Sequence, residues 1–322
     1  MVATQPSEFA GSILQIPDFF LAGAPKCGTT SLHSWLSQHR DIHAPRKEPN
    51  FFSQDIYPTH GRIGHIASLQ EYSEIFDKER AGKAYSCDAT PKYLYSDNAL
   101  REIKRLRPAA KIVLCLRDPV NLAISLHGQK LRESIETDIS FERAWMRCYS
   151  SSSNIIGDRP EIDGKINYLF WSSFGVRLQR LHQIFPRESI LILLDHEMKL
   201  EPRSAYLKVL NFIGLEDDGR TNFPVENIRT EYRSYRLNKM IHWARKKGYP
   251  VVKYIRALRG GRAIGVGQFV NKFNKAPSAT LPPISSDFRA RMYDLLKDDI
   301  RLAESFLDGR NLSSGRVQIK EE

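Results

Sequence analysis

The sequence predicts a three-layer α/β fold, a central parallel sheet flanked by helices, with a helical subdomain at the C-terminal end. Segments of strand length lie near Asp18–Gly23, Ala84–Asp88, Lys111–Leu116 and Ser189–Leu194, and the continuous apolar run Ile112–Leu116 is the pattern of a strand covered on both faces. Between and after them, apolar residues recur at spacings of three and four, near Thr30–His39, Asn98–Leu106, Asn121–Leu131, Phe141–Cys148, Phe170–Phe185 and Arg203–Phe212. Strands separated by helices indicate a mainly parallel sheet.

The first strand, Phe19 to Ala22, runs into a loop whose Gly23, Pro25 and Gly28 allow a sharp turn. The helix that follows carries Leu32, Trp35, Leu36 and His39 on one face. Such a loop aims backbone N–H groups and the positive end of the helix dipole at one point, where an anion can sit. The nucleotide-triphosphate pattern is G-x-x-x-x-G-K-[ST]. Here Gly23 and Gly28 keep the glycine spacing, but Thr29 fills the lysine position and Lys26 lies inside the loop. This is a P-loop-type strand, loop and helix with a displaced lysine, and Thr29 and Thr30 add hydroxyl donors. A glycine-rich turn with no ligand fits the same letters, so the rest of the chain decides.

Lys111 to Leu116 reads as a central strand, and Arg117 stands at its carboxyl end, where open α/β sheets place ligands. Pro119 suits the first turn of the next helix, and Ser125 lies two turns along it. A guanidinium fork and a hydroxyl there can grip a phosphate. The alternative is a surface ion pair of Arg117 with Asp118 or Glu133. Tyr149 to Pro160, with four consecutive serines, reads as a loop ahead of the helix bearing Tyr168. There is no internal repeat.

The strand-loop PKCGTTSL, the stretch KEPNFF at Lys47–Phe52, RDPVNLAISLH at Arg117–His127 and LHQIFPRESILILLDHEMKLEP at Leu181–Pro202 together resemble the PAPS-dependent sulfotransferases. They are most similar to the branch of heparan sulfate sulfotransferases and their soluble bacterial relatives. The resemblance covers about residues 17 to 215.

The resemblance implies a donor, 3′-phosphoadenosine 5′-phosphosulfate (PAPS, leaving as PAP), with its 5′ end held by Lys26, Cys27, Gly28, Thr29, Thr30 and Ser31. It assigns the 3′-phosphate to Arg117 and Ser125, and puts Tyr168 among the donor contacts. Lys26 is implied to neutralise charge on the leaving phosphate. Glu48, in the E-x-x-F-F pattern, is implied to be the general base on the acceptor. Phe51 and Phe52 beside it are expected to desolvate the carboxylate and raise its pKa. A loop glutamate paired with Lys47 or Arg46 is the alternative. Phe51, Phe52, Asp88, Lys92, Tyr93 and His127 are candidate acceptor-site residues. Relatives carry a lysine where this chain has Ala89, and Lys92 is displaced by three positions, so a second catalytic lysine is in doubt. No metal is expected.

With 322 residues, the chain divides on paper into an extension (1–16), a core (17–225) and a basic helical subdomain with a C-terminal helix packed back on the core (226–322), one structural domain overall. The formal charge is +11, and eleven basic residues against Glu231 fall between Arg229 and Arg262. That segment reads as two amphipathic helices that close over the donor, attract an acidic acceptor, touch an anionic surface, or present a solvated basic face. The first residues lack a basic, then apolar, leader pattern, and no run reaches membrane-spanning length. Four cysteines without metal-ligand spacing fit reduced thiols. The chain is therefore expected to be cytoplasmic, with a small natural product, saccharide or lipid as acceptor and no nucleic-acid partner. Two other functions remain open. A P-loop kinase or NTPase would need Asp118 to hold Mg²⁺, and a nucleic-acid or membrane-surface binder would use the basic segment on a degenerate nucleotide fold.

Overall fold

The structure is a computed structural model that describes residues 14–56, 58, 65–77, 82–133, 135–151, 159–162, 164–226, 231–232, 275–276 and 282–313. The basic segment from Arg229 to Arg262 lies outside the described residues apart from positions 231 and 232. Along the chain the elements are β1 (Phe19–Gly23), α1 (Thr29–Ser37), β2 (Ile42–His43), α2 (Leu69–Asp77), β3 (Tyr85–Asp88), a 3₁₀ turn (Pro91–Tyr95), α3 (Asp97–Leu106) and β4 (Lys111–Leu116). They continue with α4 (Pro119–Arg132), α5 (Phe141–Ser151), β5 (Glu161–Ile162), β6 (Lys165–Ile166), α6 (Tyr168–Ser172), α7 (Gly175–Ile184), β7 (Ile190–Leu194), α8 (Asp195–Leu200) and α9 (Pro202–Ile213). Then come β8 (Glu231–Tyr232), β9 (Lys275–Ala276) and a last helix, α10 (Ser286–Glu304).

Contact density divides the chain into two compact units, neither of them one continuous stretch. The first comprises Met1–Arg117, Gly175–Glu226 and Arg301–Glu322, and the second Asp118–Phe174 and Asn227–Ile300.

The first unit holds a five-stranded parallel sheet in the order β2-β3-β1-β4-β7, flanked by helices. Each of the four strands expected from the sequence is present to within a residue or two. All five residues of β1 are buried, as its central place requires. In the register Gly23 pairs with Cys115, and Leu116 with Leu194, so β1, β4 and β7 end at the same edge. At the other edge Asp18 ties β1 to its neighbour, accepting from the Ser86 N–H at 2.7 Å and pairing with Arg107.

Gly23 is required where it stands. Its φ is +128°, and a Cβ there would lie 2.3 Å from the Cys115 carbonyl oxygen. The next amide, Ala24 N–H, donates to that same oxygen at 3.1 Å, so the chain leaves β1 pressed against the end of β4.

In the second unit, α4 begins as Pro119 predicts, capped by Asp118, whose Oδ1 accepts from the Asn121 N–H at 2.7 Å. Its core is aromatic, with His127, Phe141, Trp145 and Tyr168 buried. Tyr168 Oη donates to Glu136 Oε2 at 3.1 Å, and Arg147 holds the same oxygen at 2.6 Å.

Two expectations change. The single helix near Phe170–Phe185 is broken, because Ser173 turns to extended backbone and its hydroxyl caps the Leu169 carbonyl at 2.8 Å. The resulting end of α6 and start of α7 coincide with the boundary between units. The serine run is not all loop either, since α5 continues through Ser151. In α10 the buried Met292, Leu296, Ile300 and Ala303 recur at helical spacing, and the helix is bonded to the start of α4 through Tyr293 to Asp118 Oδ2 at 2.8 Å. Among the described residues no helix is long and apolar enough to cross a membrane.

Gly23→Ala should cost about 2 kcal/mol or more, because positive φ and overpacking act together. A urea unfolding midpoint close to wild type would show that the β1 exit tolerates a side chain.

Candidate functional site

The candidate site is built at the carboxyl ends of the strands in the first unit, where the sheet turns its backbone into loops. After β1, Lys26 at φ +68° and Gly28 at φ +86° put two left-handed residues around Cys27. Gly28 caps α1 without any side-chain hydrogen bond to the first turn. The leading N–H groups of α1 therefore keep their capacity for an anion. Lys26, Gly28 and Thr30 are partly exposed, while Cys27 and Thr29 are buried. Burial, with Asp195 nearby, pushes the Cys27 thiol well above its usual pKa, so it lies under the loop as a neutral group. Ser31 turns to the side of the helix, where its Oγ accepts from the Glu226 N–H at 3.0 Å. Beside it Trp35 Nε1 donates to the Pro224 carbonyl at 2.9 Å. Ser31 is thus committed through its side chain to a neighbouring segment.

Arg117 follows β4 and reaches both sides of the loop base. Its terminal nitrogen NH1 donates to the Lys26 carbonyl at 3.4 Å, and its Nε lies 3.4 Å from Asp195 Oδ2. The ion-pair partner is therefore Asp195, at the end of the adjacent strand, rather than Asp118 or Glu133. Asp118 is used by the second unit, with Oδ1 on the α4 cap and Oδ2 on Tyr293.

Glu48 comes from the loop after β2, at φ +56°, with its N–H bonded to the Ala89 carbonyl at 2.9 Å. Lys47 Nζ donates to Oε1 at 2.7 Å and Lys92 Nζ to Oε2 at 3.1 Å. Burial alone would raise its pKa, but the two ammoniums win and hold it at about 2. This reverses the expected upward shift. The reason is geometric: Phe51 stacks on Tyr72 at 4.8 Å between ring centroids, and Phe52 packs edge-on against Tyr72 at 5.0 Å. The phenylalanines form an aromatic cluster, and the lysines set the charge of the carboxylate.

Asp88 and Tyr93 are fully buried and so support this region from beneath instead of lining it. Asp88 accepts from Tyr72 Oη at 2.7 Å, Tyr93 Oη at 2.8 Å and Thr90 Oγ1 at 2.7 Å. Burial raises its pKa to about 6, with the three hydroxyl donors pulling the other way. Lys92 sits one residue before Tyr93 on the 3₁₀ turn, and Tyr93 thereby fixes the position from which Lys92 reaches Glu48. Ala89 is buried and paired with Lys47 in a single parallel bridge.

Three residues named from the sequence lie in the second unit. Ser125 is half-buried on α4. Tyr168 and His127 are fully buried there, His127 bonded through Nε2 to the Asp138 carbonyl at 2.8 Å, and both rings belong to the aromatic core. Sequence reasoning named the pairing of Glu48 with Lys47 as the alternative, and that pairing is present; it missed Lys92 as a second partner of the same carboxylate. It also missed Asp195, although that residue follows its strand as directly as Arg117 follows β4.

A family model described as the sulfotransferase domain matches residues 16–259. The chain belongs to the sulfotransferase family. Among sulfotransferases, mouse heparan sulfate glucosamine 3-O-sulfotransferase 3B1 is 26% identical over 208 residues, 63% of this chain and 47% of that protein. The bovine bifunctional heparan sulfate N-deacetylase/N-sulfotransferase 2 is 23% identical over 203 residues, 62% of this chain and 22% of that protein. This sulfotransferase chain spans half or less of the length of these curated relatives. A sulfotransferase structure from Alicyclobacillus acidocaldarius shares the fold at a TM-score of 0.64, with 21% identity, covering 92% of this chain and 97% of that one.

Lys92→Met should move the Glu48 pKa up from about 2 by removing one of its two cationic neighbours. Wild-type Glu48 adds stability above the ordinary glutamate range that is lost as pH falls toward about 2. The variant should lose part of that stabilisation at higher pH, and carboxyl-resolved NMR titration reads the shift directly; an unmoved pKa would mean that Lys92 does not set it. For Asp88 the sign is opposite. Its raised pKa means that its contribution to stability falls as pH climbs from about 4 to about 6. Stability of wild type relative to Asp88→Asn should therefore drop by on the order of 2–3 kcal/mol across that window. Parallel pH curves for the two proteins would contradict it.

Proposed function

We propose that this sulfotransferase moves a sulfuryl group from PAPS to a hydroxyl or amine of a small-molecule or saccharide acceptor by in-line displacement. The carrying observation is the loop after β1, whose helix start has no side-chain cap and whose Lys26 carbonyl is bonded to the Arg117 guanidinium. The loop fits a phosphosulfate, because uncapped amides and one ammonium can meet a terminal phosphate without the metal that a triphosphate brings. Arg117 is assigned the 3′-phosphate, and the resemblance alone assigns Ser125 to the same group. The donor supplies a sulfuryl group on a phosphate leaving group, and the protein's part is placement and charge.

Glu48 takes the acceptor's proton as the acceptor oxygen or nitrogen bonds to sulfur and the bond from sulfur to the 5′-phosphate oxygen breaks. Lys26 meets the charge left on that phosphate. A carboxylate held at about pKa 2 is a weak base, yet a loose transition state acidifies the acceptor only late. Glu48 then serves mainly to orient the acceptor and to receive a proton already leaving. Lys47 and Lys92 keep it ionised and fixed in place. Both relatives described above are heparan sulfate sulfotransferases by their names, one at oxygen and one at nitrogen, so the acceptor atom is left as hydroxyl or amine. The buried cysteines, none in a disulfide, suit a reducing compartment, and the cytoplasm is proposed on that ground.

The kinase reading is disfavoured, because Asp118 is buried and its two oxygens serve the cap of α4 and Tyr293.

Calorimetric titration with PAP, ATP and AMP tests the assignment. PAP should bind more tightly than ATP or AMP, and Arg117→Ala should weaken PAP about 10–100-fold. Equal affinity for ATP, or an Arg117→Ala protein that binds PAP unchanged, would sink the proposal.

A further inference from the structure

Asp195 is an unexpected group to find at an anion site. It directly follows β7, opens α8 and is 6% exposed. Its Oδ1 faces the loop closely enough that a Cβ on Gly28 would lie 3.8 Å from it. A carboxylate there repels a bound phosphate, so charge alone does not account for it.

Its Oδ2 does two things. It lies 3.4 Å from Arg117 Nε and 2.5 Å from Lys199 Nζ. A guanidinium is a planar fork with five donors, and fixing one of them fixes the plane of the others. With Nε ion-paired to Asp195 and NH1 hydrogen-bonded to the Lys26 carbonyl, the guanidinium is held from two sides, one on the β7 exit and one on the loop itself. The terminal nitrogens retain further N–H donors for a phosphate. Lys199 offsets the carboxylate and leaves the Arg117, Asp195 and Lys199 trio net cationic.

We infer that Asp195 is a positioning residue of the nucleotide site, orienting the Arg117 fork for the donor's 3′-phosphate, with Lys199 cancelling its repulsion. Arg117 thereby joins the two ends of the nucleotide mechanically, since its own anchor is the backbone of the loop that receives the 5′ end. The inference rests on the assignment of Arg117 to the 3′-phosphate.

The test is calorimetric titration of PAP and 5′-AMP into the full chain, as wild type and as Asp195→Asn, with thermal unfolding recorded for both. AMP lacks only the 3′-phosphate, so the ratio of the two affinities reads the Arg117 subsite. Asp195→Asn should weaken PAP roughly tenfold and leave AMP within about twofold. If both ligands bind more tightly, Asp195 acts only as a repulsive charge, and if both weaken equally, it acts only on the fold; either result overturns the inference. If Asp195→Asn does not fold, Asp195→Glu, which keeps the charge and shifts it by one methylene, decides by the same ratio: a shrunken ratio supports the inference and an unchanged one overturns it. Wild type with no preference for PAP over AMP would instead take down the donor assignment and this inference with it. Loss of the preference confined to the variants is the expected result.

Discussion

The backbone contact between Gly23 and Cys115 sets the geometry on which the rest of the candidate site depends. Parallel strands end at one edge, but an edge becomes a site only if the loops leaving it are held at a defined angle. Here the exit from β1 passes so close to β4 that no side chain fits at Gly23, and the Ala24 amide spends its hydrogen bond on the Cys115 carbonyl. That contact places the Lys26 carbonyl within reach of Arg117, two residues beyond Cys115. The start of α1, the arginine fork and the acid at the end of β7 then follow from strand register rather than from independent placement.

Charge in the first unit is organised by committing each acid to specific donors. Glu48 is shared by two ammoniums, Asp195 by a guanidinium and an ammonium, and Asp88 by three hydroxyls. The consequences differ with the donors. Full positive charges depress the Glu48 pKa, whereas neutral hydroxyls only moderate what burial does to Asp88. An acid that must remain ionised and oriented receives lysines, and an acid that must knit a core receives tyrosines.

Much of the fold was legible because parallel strands buried on both faces write themselves as unbroken apolar runs, as in Ile112 to Leu116. β2 was not, because two residues, Ile42 and His43, are too few to show any period. The break between α6 and α7 was hidden because Ser173 is an ordinary helix residue until its hydroxyl bonds backwards. In the site, glycines announced the loop, since their spacing reports backbone shape. The electrostatics of Glu48 were opaque for the opposite reason: Lys92 is 44 residues away in sequence, and nearby aromatic letters suggested an apolar pocket that packing directs elsewhere. Asp195 was missed because an acid after a strand reads as a helix start, and it is one.

The left-handed backbone at Lys26, Glu48 and Asn50 has a meaning beyond geometry. Non-glycine residues in that region are held at a cost of about 1 kcal/mol or more each, which glycine or asparagine would largely relieve. At Glu48 an ion pair on each carboxylate oxygen, from Lys47 and Lys92, is set against that backbone cost. A library sorted only for thermal resistance would therefore treat Glu48, Lys47 and Lys92 as one unit, in which losing either lysine removes the reason to keep a side chain at a left-handed position.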